Sequence, residues 1–209
     1  MSVTLPLFPL KLVAFPGEKL NLHIFEPRYK QLIKDCIEQK INFGVCVYLD
    51  RLKSHGTEVE LLEVHKTYED GRMDVKTQGI RSFRILSFEN PIEGKLYAGG
   101  EVNLLEVDNN VVSKVAYNEF LFYLKEMLKL LHYEVDLDTI AVNSFTFAHV
   151  LGLNLEEEYQ LLAMENEMDR IRYLITHLKR VIPIVREVEK AREKVKMNGH
   201  FRHFDPLDF

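Results

Sequence analysis

Four prolines punctuate the apolar pattern of residues 5–29, LPLFPLKLVAFPGEKLNLHIFEPRY, and so restrict where strands and a helix can stand. Leu5, Leu7, Leu10, Leu12 and Phe15 describe an apolar strand, yet Pro6 and Pro9 cannot donate to a sheet ladder. The opening strand is therefore expected to be bent and to lie at a sheet edge. Phe15-Pro16-Gly17-Glu18 places proline second and glycine third in a turn, where φ near −65° and then a positive φ are wanted, which predicts a type II turn. A second strand follows over 20–25. Pro27 then falls at a first helical position, where its missing N–H costs nothing, and Tyr29, Leu32, Ile33, Cys36 and Ile37 repeat at helical spacing. One amphipathic helix over 27–39 is predicted.

Beyond it the first half reads as strand. Residues 41–49 form a continuous apolar run suited to a central strand buried on both faces. Residues 56–68 and the alternation of Met73, Val75 and Thr77 flank Asp70-Gly71, which is hairpin chemistry. Gly79 interrupts the alternation and marks a bulge or bend before 80–88. Asn90-Pro91 and Gly94 bound a loop, and a last strand is expected within 96–107.

From residue 111 the period becomes helical. Phe120, Leu121, Leu124, Met127, Leu128 and Leu131 form one stripe. A second helix through Ala141, Phe145, Ala148 and Leu151 is expected to end at Gly152. A third starts at Asn154 with Glu157 placed for a capping box. A fourth carries Met168, Ile171, Ile175, Leu178 and Ile182, and Pro183 should kink or end it, with a restart to about residue 196. This organisation divides the chain into a β subdomain with one early helix, 1–110, and a helical subdomain with an aromatic tail, 111–209.

The heptad His23-Ile24-Phe25-Glu26-Pro27-Arg28-Tyr29 resembles the signature of the Lon-protease N-terminal domain, the substrate-binding module that precedes the ATPase and peptidase of Lon. Gly56-Thr57 leading into a strand and Gly79-Ile80-Arg81-Ser82-Phe83-Arg84-Ile85 are similar to two further strands of that family, in the same order. Leu155, Glu156, Glu157, Gln160, Leu161 and Leu162 resemble its acidic helical run, so the likeness spans about 5–185. It implies an α+β fold, a PUA-like β pseudo-barrel followed by a C-terminal helical bundle, in a module that here stands alone. It also implies a non-catalytic function: holding unfolded or exposed polypeptide segments, and presenting them to a separate ATP-dependent protease. Such a surface should be a shallow apolar groove or an open strand edge that accepts an extended peptide. The candidate lining residues are Phe8, Phe25, Tyr48, Tyr68 and Phe83, aromatics at strand ends or beside turns. Glu26, Pro27, Arg28 and Tyr29 are read as structural, with Arg28 forking onto Glu26 or onto neighbouring carbonyls at the helix N-terminus; the rival is an enzyme using Glu26, Arg28 and His23.

Chemistry elsewhere is sparse. The only Gly-Lys pair, Gly94-Lys95, is followed by Leu96 and not by Ser or Thr, so no Walker loop is read, and no serine has the setting of a Ser–Lys peptidase dyad. No cofactor or metal is expected: His200-x-x-His203 with Asp205 lacks the ligand spacing of a metal site. Cys36 and Cys46 read as buried thiols without a disulfide. A net charge of −5 argues against nucleic acid, although a PUA-like barrel binding RNA or a small molecule stays open, with Arg72, Lys76, Arg81 and Arg84 as its basic patch. No segment has the about 20 apolar residues of a membrane span, and a cytoplasmic location is expected. After the charged final helix, Phe201, Phe204 and Phe209 form an aromatic tail that could dock on the protein itself or anchor a partner or a second copy.

Overall fold

The computed structural model describes residues 2–106 and 112–200, the final five by backbone alone. The tail residues Phe201, Phe204 and Phe209, with His203 and Asp205, lie outside the described residues. The architecture is α+β, as expected, and the described residues fall into two compact units: 2–106 together with 143–167, and 112–142 together with 168–200.

The first unit is built on six strands, β1 (Ser2–Leu10), β2 (Lys19–Ile24), β3 (Phe43–Tyr48), β4 (Leu52–Thr67), β5 (Met73–Ile85) and β6 (Ala98–Leu104), in the order β2-β5-β4-β3-β1-β6 with an added β5–β6 pairing. That added pairing closes five strands into a small barrel and leaves β2 as an appendage. The long β5 makes both connections: its first half pairs with β2, its last residues with β6, and β4 runs beside it throughout. The change of partner occurs at Gly79 and Ile80, where Ile80 is an extra residue opposite the Glu58–Val59 step, the bulge that the sequence predicts there. A β-carbon on Gly79 would lie 2.3 Å from the Phe15 carbonyl oxygen, because the 15–18 turn docks on it through Gly17 N–H to Gly79 O and Gly79 N–H to Glu18 O, both 2.8 Å. That turn has the expected hydrogen bond from Glu18 N–H to Phe15 O at 3.1 Å and a Gly17 φ of 83°.

The expectation for β1 is corrected. It is an interior strand, parallel to β3 and antiparallel to β6. Its prolines are tolerated because residues 2–6 pair only with β6 and residues 8–10 only with β3, Leu7 alone pairing with both, so each proline lies where one side of the strand carries no ladder.

Helix α1 (Pro27–Gln39) has the predicted bounds and drives Tyr29, Leu32, Ile33 and Cys36 into a core with Leu22, Ile24, Phe43, Val59 and Val75. Within it, buried Asp35 accepts hydrogen bonds from Lys95 Nζ at 2.7 Å and Tyr97 OH at 2.6 Å, which hold its carboxyl below the usual range. The barrel encloses a second core of Leu5, Leu7, Cys46, Phe83, Ala98, Val102 and Leu104. Cys36 and Cys46 are free and buried, and burial pushes both thiols up to about 12.

Residues 141–151 do not form the predicted α-helix. They make turns and a short 3-10 helix, Ala148–Val150. Asn143 explains the difference: its Oδ1 accepts from the Phe145 N–H at 2.8 Å and the Thr146 N–H at 3.1 Å, and its own N–H donates to Thr146 Oγ1 at 3.0 Å. Such local side-chain bonds compete with a helical ladder. Next, α3 (Leu155–Ala163) starts with the predicted capping box, Asn154 Oδ1 accepting from Glu156 and Glu157 N–H and Glu157 accepting from Asn154 N–H.

The second unit contains α2 (Lys114–Leu130) and α4 (Glu167–His200). Phe120, Leu124, Met127 and Leu128 are buried on the first, and Ile171, Leu174, Leu178 and Ile182 on the second. Lys179 meets Glu119 at 2.6 Å and Arg186 pairs with Glu126. Of the two outcomes expected at Pro183, an end is excluded, because α4 continues through it. The proline and Lys179, whose carbonyl would have accepted its missing N–H, are both exposed, so water can satisfy that carbonyl. No described helix is long and apolar enough to cross a membrane.

Candidate functional site

Strand β2 alternates, sending Leu22 and Ile24 inward and His23 outward. Proline at 27 disfavours a helical residue before it, and Glu26 is extended at φ −74°, ψ 138°. Phe25 is thus held between the end of a strand and the start of a helix, with 59% of its surface exposed. The register Ile24↔Met73 sets this corner beside the β4–β5 turn, which is closed by the Tyr68 N–H to Arg72 O bond at 2.9 Å, with Gly71 at φ 77°.

Asp74 ties the corner together. Its Oδ1 lies 2.6 Å from His23 Nδ1 and its Oδ2 accepts from Tyr68 OH at 2.7 Å. These two bonds, His23 first, hold its carboxyl below the usual range. The His23 ring lies 6.1 Å from Phe25 and meets Tyr68 edge-on at 5.9 Å. Lys66 Nζ and the Arg72 guanidinium lie 4.5 and 5.3 Å from the centre of the Tyr68 ring. The result is an exposed aromatic surface fixed by a hydrogen-bonded carboxylate and bordered by two cations, suited to contact. Arg28 grips Glu26 through Nε at 2.9 Å and Nη2 at 2.7 Å and covers Tyr29 at 4.6 Å. Both charges of the proposed acid and electrophile are engaged with each other.

The structure gathers only part of the predicted lining. Phe25 and Tyr68 share this corner. Phe8 is buried, stacked on Tyr29 at a ring distance of 3.8 Å, and Phe83 is fully buried inside the barrel; neither offers surface to a peptide. Tyr48 is exposed, but it pairs with Leu52 at the start of β4, at the far end of that strand from Tyr68. In the basic patch, Arg72 is matched by Asp70 at 2.6 Å, Lys76 by Glu63 at 2.5 Å and Arg81 by the buried Glu58 at 2.6 Å.

Sequence reasoning missed a second cluster. His149 Nδ1 lies 2.8 Å from Glu158 Oε1 and its Nε2 3.0 Å from Glu18 Oε1, and these carboxylates, Glu158 first, raise the imidazole to about 10. Its ring also lies 4.9 Å from Phe15, whose other neighbour is Phe145 at 5.2 Å. No local pattern signals it, because Glu18 is 131 residues away.

Comparison with known proteins places this geometry. The family model for the ATP-dependent protease La (LON) substrate-binding domain matches residues 4–180. A crystal structure of a Lon N-terminal domain protein from Xanthomonas campestris is similar with a TM-score of 0.66 and 26% identity, covering 83% of this chain and 98% of that one. The N-terminal domain of a Mycobacterium avium complex Lon protease shares the fold, with a TM-score of 0.62 at 17% identity over 85% of this chain and 98% of that one. A LON peptidase N-terminal domain and RING finger protein of Schizosaccharomyces pombe is 24% identical over 211 residues, 80% of this chain and 43% of that protein. The chain thus spans less than half the length of that curated relative.

Proposed function

We propose that this chain, which belongs to the LON substrate-binding domain family, is a non-catalytic module that holds unfolded or exposed polypeptide segments in the cytoplasm and presents them to a separate ATP-dependent protease. The observation that carries the reading is Phe25. A large aromatic side chain is normally buried where it can be; this one is exposed, held between a strand and a helix, with the His23 ring beside it. A rigid exposed aromatic gives contact area at small entropic cost, which is what a binding hot spot needs.

The test is fluorescence anisotropy with reduced, carboxymethylated α-lactalbumin, a chain that cannot refold. The protein is expected to bind it, and Phe25→Ala to bind about tenfold more weakly, a change of about 1.4 kcal/mol. Failure of the unaltered protein to bind would overturn the reading. So would turnover of the probe abolished by Glu26→Gln. Presentation to a protease predicts co-sedimentation with a Lon-type ATPase–peptidase that depends on the bound polypeptide.

A further inference from the structure

The polypeptide-binding reading leaves open where main-chain recognition occurs, and one strand edge meets its requirements. Strand β4 pairs with β5 along its length but with β3 only over Leu52–Val59. From residue 60 to 67 its other edge is paired with no described strand, so a row of backbone donors and acceptors faces outward. Beside this edge lies a groove of about 400 Å³, lined also by Ile37 near the end of α1 and by Lys40 and Ile41 just after it. Ile37 and Leu62 leave 50% and 47% of their surfaces exposed around it. The volume is within the range of about 300–1,000 Å³ common to ligand sites.

Two observations select the occupant. The pairing of β4 with β5 shifts at the Leu61/Glu63 and Val64/Lys66 steps, leaving Leu62 and His65 as extra residues. Bulges twist an edge away from long pairing, so a short extended segment fits and the full strand of a second copy does not. Charge gives the second constraint. Among the described residues Glu63 is matched by Lys76 and lies near His65, whereas the side chain of Glu60, exposed on the groove, makes no hydrogen bond or ion pair, its backbone alone pairing opposite Gln78.

We propose that the outer edge of β4 at 60–64 takes a short extended peptide as an added strand, with apolar side chains against Ile37 and Leu62 and a basic side chain facing Glu60. This deepens the polypeptide-binding reading and rests on it. Main-chain bonds would supply affinity for many sequences, and the alternation of apolar and basic residues would supply preference.

The probe is a fluorescein-labelled hexapeptide of alternating leucine and lysine. Wild-type protein should bind it. Methylation of alternate backbone nitrogens should weaken binding at least tenfold, as should Leu62→Ser. Glu60→Lys should reject this peptide and accept one of alternating leucine and glutamate. Position 62 is partly exposed and position 60 exposed, so both variants should keep their folds, checked by circular dichroism. If methylation, Leu62→Ser and Glu60→Lys all leave binding unchanged while Phe25→Ala still weakens capture of carboxymethylated α-lactalbumin, the groove is refuted and the general reading stands. If wild-type protein binds neither probe, both fall. A wild-type dimer that Leu62→Ser dissociates would assign the groove to a second copy and overturn the proposal.

Discussion

The ring of Phe83 fills the space that a side chain on Gly56 would need. A β-carbon there would lie 2.7 Å from Phe83 Cζ and 2.4 Å from the Val45 carbonyl oxygen, so a ring rotation alone cannot accommodate it and the β3 backbone must move. Overpacking of this kind costs roughly 1–3 kcal/mol. Gly56→Ala should lose about 3 kcal/mol in urea unfolding. An unchanged midpoint would refute the close approach.

Two phenylalanines, both candidate binding residues by sequence, should separate in the same experiment. Phe83 is fully buried, and Phe83→Ala should cost about 3–5 kcal/mol. Phe25 is exposed, and Phe25→Ala should stay within about 0.5 kcal/mol of wild type while losing polypeptide binding. Equal losses of stability would contradict the assignment of one to core and the other to surface.

His149 should make stability fall in alkali. Glu158 and Glu18 raise its imidazole from an ordinary value of 6.5 to about 10 in the folded protein. The folded state then binds a proton that the unfolded state releases, so the contribution is fully present below pH 6.5 and is lost as pH rises through about 10. Thermal melts across that window should show a decline that His149→Gln lacks, and proton-coupled nuclear magnetic resonance of the ring should titrate late. The side chain is 40% exposed, so solvent screening will moderate the effect.

Asp35 should act in the opposite direction. Lys95 and Tyr97 hold its carboxyl below 3.8, so its contribution is present above that value and lost as pH falls through the lower folded one. Asp35→Asn should flatten the acid limb of the stability profile, measured from pH 5 downward.

Asn154 caps α3 with two accepted bonds of 3.0 Å each. Asn154→Ala should cost about 1 kcal/mol. Hydrogen exchange should quicken at the Glu156 and Glu157 amides before it does in the β core; equal protection would show that the cap contributes nothing.

Where a few neighbouring residues set the conformation, the sequence was sufficient. Pro27 started α1, Pro16-Gly17 set a type II turn, Asp70-Gly71 closed a hairpin and Asn154 with Glu157 built a capping box, each through a steric or hydrogen-bonding preference spanning four residues or fewer. Half of the aromatic corner was legible for the same reason: Phe25 and Tyr68 stand beside a helix start and a turn. The Asp74 bridge that joins them was not, because His23 and Asp74 are 51 residues apart and meet only through the β2–β5 register. Asn143 shows a local signal misread, since its side chain captured amides that a helix at 141–151 would have needed.

What the sequence alone determined was most of the elements, with the 141–151 helix as the exception, several caps and turns, and the likeness to a family, all of which depend on side chains close in the chain or on an ordered motif. Tertiary structure decided which strand lay inside, which aromatics were core and which edge stayed open. Proline in β1 forbids one ladder bond but does not say whether that side of the strand needs one. Phe83 and Phe25 have the same chemistry, and only closure of the barrel over one of them made it core, because burial is a property of what packs against a residue.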